Sequence, residues 1–246
     1  MKLRQFTLVA LFLLVAGNAA GVLPALLQDS AALDRAYIPA LMLSNAKNPA
    51  KALAAHESYL AAWEAFAARQ RSARPTDAAW AKTFANIDKA NAEARAALTA
   101  GRLADAHMIQ EEVRHELWRQ RQALGLDYQP DRLTAYHETM EDLIASVPGK
   151  EPAAIGTPQI SAMKAILAKA RTQWLAVKSA RWEPADYGLE GARLDAYLAA
   201  VAAEDRALDE LAAALDAGDG VRIAKAAPAI KPPFAKAYGA FGVFPQ

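Results

Sequence analysis

From about residue 31 onward, apolar positions recur every three or four residues, and no sustained two-residue alternation appears. That spacing gives a helix one buried face, so the chain is predicted to be all-α, an antiparallel helical bundle. Leu53, His56, Leu60, Trp63 and Ala67 form one stripe, and Trp80, Phe84, Ile87, Ala94 and Leu98 form a second. A third runs through Leu103, Ala106, Gln110, Val113 and Leu117. A fifth helix is predicted around Leu133, Tyr136, His137 and Met140, a sixth around Met163, Leu167, Ala170 and Trp174, and a long seventh over about 189–216.

Turn chemistry separates these stripes. Asn48 before Pro49 predicts a capped helix start, because the Asn side chain accepts from a free first-turn N–H and proline lacks the N–H that would be left over. Thr157 before Pro158 predicts a second such start, with Thr157 as the cap. Pro39 is expected to bend the first helix. Gly101 and Gly218 stand where a left-handed residue closes a helix. The stretch 147–156 holds two prolines and two glycines and is the best boundary by composition. The expected organisation is a segment 1–20, an N-terminal bundle over 21–147 carrying all four histidines, and a C-terminal helical unit over 157–246 packed against it. The halves also resemble each other around Trp63 and Trp174 and before Gly101 and Gly218, which suggests a degenerate duplication.

Residues 1–20 differ from this pattern: Lys2 and Arg4 precede the apolar run from Phe6 and the small residues Ala19 and Ala20, with no acidic residue. This reads as a cleavable signal peptide, placing the protein in the periplasm, with no stable membrane span. The whole sequence carries 28 basic and 27 acidic residues, and this near-neutral balance gives no footprint for nucleic acid. Cysteine is absent, which excludes disulfides, covalent c-type haem, cysteine-held iron–sulfur clusters and thiol nucleophiles. No Gly-x-Ser-x-Gly, phosphate-binding loop or dinucleotide fingerprint occurs, so the expected role is not enzymatic.

Candidate chemistry lies with the histidines. Imidazole binds copper, zinc or iron, and facing helices of a bundle can bring ligands together. His56, His107, Glu111 and His137 are the candidate ligands of a mononuclear transition-metal site, which makes binding, delivery or sensing of the metal the leading functional expectation. Glu112-Val-Arg-His115 supplies one Glu-x-x-His motif of a dinuclear carboxylate centre, but the chain has no second. Two alternatives stand beside the metal site. One is a metal-free helical scaffold that recognises a periplasmic protein partner. The other is a b-haem electron carrier: residues 31–146 resemble in architecture the b-type bundle cytochromes, and that resemblance implies haem held by a methionine and a histidine, here Met42 and His137.

Overall fold

In the computed structural model, residues 6–147 and 155–245 are described, with side chains from residue 23 onward. Among them every regular element is helical: α1 (Phe6–Ser44), α2 (Pro49–Ala73), α3 (Ala78–Thr99), α4 (Leu103–Ala123), α5 (Gln129–Ala145), α6 (Thr157–Ser179), α7 (Ala192–Ala217), α8 (Gly220–Ala229) and α9 (Lys231–Gly239), with a 3-10 turn at Pro184–Tyr187. No helix among the described residues is long and apolar enough to cross a membrane. Of the predicted signal segment, residues 1–5 lie outside the described residues and 6–20 are described only as helical backbone.

Three of the helix starts carry side-chain caps. Asn48 accepts from the Lys51 N–H at 3.1 Å, and Asp77 and Asp219 each accept from two first-turn N–H groups. Gly101 and Gly218 close α3 and α7 at φ of 73° and 65°. The Thr157 expectation is corrected: Thr157 is the first helical residue and Gly156 holds the cap position without a side-chain bond. Proline at the next position suits the first turn whichever residue caps it.

The chain divides into two compact units, residues 1–127 with 243–246, and residues 128–242. The division falls before α5, earlier than the 147–156 stretch, most of which lies outside the described residues. Within the first unit α1 packs most extensively on α2, and α3 on α4, with lighter seams between α2 and α3 and between α1 and α4. Within the second, α5 packs on α6 and α7 on the pair α8–α9, again with lighter seams between α6 and α7 and from α5 to α9. Proline and glycine mark where a chain can turn; which helices then pack is set by complementary apolar faces. In this division α5 and its His137 belong to the second unit, whereas the sequence places them with the N-terminal bundle.

Aligning Trp63 with Trp174 and Gly101 with Gly218 brings buried positions onto buried positions. Tyr59 meets Ala170, Ile87 meets Glu204, Leu98 meets Leu215, and Gln110 meets Ala227, all of them buried.

Candidate functional site

His56, on the core stripe of α2, is fully buried. Its Nε2 faces the backbone carbonyl of Asn91 at 3.2 Å and its Nδ1 faces the side-chain nitrogen of Gln110 at 3.0 Å. A carbonyl can only accept, so Nε2 carries the proton, Nδ1 accepts and the Gln110 amide donates. The Tyr37 hydroxyl donates to the Gln110 backbone carbonyl at 2.6 Å. One buried polar residue from each of the four helices thus meets at the centre of this unit. Burial is the main force lowering the His56 pKa, opposed by its bond to Asn91. The imidazole is neutral, with both nitrogens engaged. Burial also raises the Tyr59 hydroxyl, an effect partly offset by the nearby Asn91 side chain.

His107 lies at the α1–α4 seam. Its Nδ1 is 3.1 Å from the Leu41 carbonyl and 3.0 Å from Ser44 Oγ, and its Nε2 is 3.5 Å from Glu111 Oε1, one helical turn on. The other Glu111 oxygen accepts from Arg114. In the second unit, His137 stacks on Phe234 at 5.2 Å and lies 3.4 Å from Glu141 Oε1, which also receives Lys231 at 2.8 Å. The His137 bond leads the effects that hold the Glu141 carboxyl down to about 2.

The four predicted ligands are therefore distributed, with His56, His107 and Glu111 in the first unit and His137 in the second. Of these only His107 and Glu111 are seen side by side. Among the described residues no three His, Asp or Glu side chains converge as a metal would require. The Met42–His137 haem pair is likewise split, with half-buried Met42 in the first unit.

Two features of the second unit escaped the reading of the sequence. Glu204 is fully buried on α7 and accepts from the Tyr136 hydroxyl. Burial pushes its carboxyl up to about 8, against the Tyr136 bond and the Phe234 backbone N–H, which lower it. Its place between Ala200 and Leu208 on the core stripe was a legible signal. The other feature is an open cleft of about 400 Å³ between α6 and α7. Arg171 reaches Asp209 across it at 2.5 Å, and Lys178 reaches Asp205 at 2.8 Å. Buried Trp174 lies between these rungs, beside Leu175, which is 59% exposed. In the first unit Phe66 stacks on Trp63 and Phe84 lies tilted against it; the aligned residues of α6 and α7 are Val177 and Val201.

Comparison of the chain with protein-family models, with curated proteins and with solved structures finds no match.

Proposed function

We propose that the chain is a non-catalytic binding protein of the periplasm, built from a duplicated helical bundle, and that its ligand enters the α6–α7 cleft. The cleft carries this reading. Its 400 Å³ lies in the range of small-ligand pockets, and it combines an aromatic floor, an exposed leucine and charges of both signs. The duplication is supported by the shared order of buried positions, and the periplasmic location by the basic-then-apolar N-terminus. The test is an amide NMR spectrum of the isotopically labelled protein titrated with small-molecule mixtures. Shifts confined to 171–178 and 205–209, lost in Leu175→Arg, are expected; shifts centred on His56 or His107, or none at all, contradict the cleft.

One observation favours a second reading, a transition metal held by His107 and Glu111. The Leu41 carbonyl engages Nδ1 and leaves Nε2 facing the carboxylate, the orientation common to metal-ligating histidines. Arg114 on the same carboxylate opposes a cation, so this reading ranks below the cleft. Calorimetric titration with Zn²⁺ and Cu²⁺ tests it: stoichiometric binding abolished by His107→Ala supports the pair, and binding unchanged in that variant removes it.

A further inference from the structure

The binding reading above leaves the ligand open, and on that reading we propose that the α6–α7 cleft takes a short peptide with both termini free, about three residues long and apolar in the middle.

The two rungs fix the length. Arg171 and Lys178 are seven residues apart on α6, so the rungs are about 10 Å apart at the helical rise. Three extended residues span about 10 Å. Charge fixes the ends. A peptide carboxylate replaces Asp209 on Arg171, and a peptide ammonium replaces Lys178 on Asp205, so each rung keeps one charge of each sign. Both pairs are partly exposed, Arg171 by 44% and Asp209 by 73%, Lys178 by 36% and Asp205 by 38%. Exposed pairs of this kind open at little cost, and the released Asp209 and Lys178 return to water.

Trp174 fixes the middle. In the first unit the Trp63 indole N–H donates to Asp88 at 2.7 Å. The aligned pair in the second unit is Trp174 and Asp205, but Asp205 is taken by Lys178 and the buried Trp174 N–H has no hydrogen-bond partner among the described residues. A buried donor left unpaired is costly; this N–H is closed to solvent, so a peptide carbonyl reaches it as the acceptor once the Lys178–Asp205 rung has opened. Beside it, exposed Leu175 stands where the first unit has the exposed Glu64. An apolar residue at the mouth of a charged cleft suits an apolar side chain at the centre of the peptide. The first unit has no such combination: Leu60 and Ala92 stand at the positions of Arg171 and Asp209, and Trp63 is already paired.

The experiment is calorimetric titration of the full chain with Ala-Leu-Ala, its N-acetyl form and its C-terminal amide. Ala-Leu-Ala is expected to bind at least tenfold more tightly than either blocked form. Arg171→Gln is expected to weaken Ala-Leu-Ala about tenfold and leave the amide unchanged, while Asp205→Asn does the same with respect to the acetylated form. Trp174→Phe, which keeps a ring and removes the N–H, is expected to weaken all three. Equal affinity of free and blocked peptides, or variant effects that ignore which terminus is blocked, overturns the peptide assignment. Silence of Ala-Leu-Ala while other small molecules shift the cleft amides overturns the peptide alone and leaves the cleft as the site; silence of both overturns both.

Discussion

At the scale of single residues, the two units differ most in what they bury. The first unit centres on His56 and Gln110, while the aligned positions in the second are Leu167 and Ala227. The second unit packs apolar residues at these positions, so the bonds of His56 and Gln110 are particular to the first core. His56→Ala removes a buried ring and leaves the Gln110 amide unpaired, so a loss of about 2–4 kcal/mol is expected in urea unfolding. His56 was legible as an inward residue from its place on the Leu53–Trp63 stripe, but the stripe could not say that Gln110 and Asn91 would occupy both its nitrogens. Glu204 is the counterpart in the second unit. A carboxyl with a native value near 8 and an ordinary value of 4.5 binds more protons folded than unfolded between those limits. It contributes fully below about pH 4.5, and its contribution is lost as pH rises to 8. Glu204→Gln keeps a neutral hydrogen-bonding group in place, and urea unfolding of the variant is expected to lose this dependence between pH 5 and pH 8. A variant with the same slope as the parent contradicts the assignment.

At the scale of elements, sequence punctuation predicts starts and stops closely, because caps act within a few residues of themselves. Asp77 and Asp219 each satisfy two N–H groups that a helix start leaves free. Asp219→Ala is expected to cost about 1 kcal/mol in chemical unfolding; an unchanged midpoint means that the cap is dispensable at this start. Partner choice was less legible. The composition of 147–156 assigned α5 to the first bundle, whereas its buried Leu133, Tyr136 and Met140 belong to the unit of α6 and α9. The cleft was hidden for a related reason. Arg171, Lys178, Asp205 and Asp209 read as solvated charges along a helix, and only the packing of α6 against α7 sets them around Trp174 as a cleft.

At the scale of the whole molecule, buried His56 and Glu204 respond to pH in opposite senses. The His56 value is lowered in the folded state from 6.5, so its contribution to the first unit is present above that pH and is lost as pH falls below it. Glu204 drives the second unit the other way. Hydrogen exchange, corrected for the intrinsic rate, is expected to show α2 and α3 less protected at pH 5 than at pH 8, and α5 and α7 more protected. A common direction in both units contradicts the separate pH responses assigned to these two groups. The sequence alone placed functional weight on the histidines, because imidazole is the most conspicuous chemistry in a chain without cysteine. Folding divides them between units and engages both nitrogens of His56, so the proposed ligand site is the α6–α7 cleft. The measurement that tests this most directly is the indole N–H spectrum during titration with Ala-Leu-Ala, with resonances assigned through Trp174→Phe and Trp63→Phe. The account predicts a saturable shift of the Trp174 indole while the Trp63 indole, held by Asp88, stays in place. A motionless Trp174 resonance contradicts the peptide assignment, and a shift of Trp63 in its stead contradicts the cleft as well.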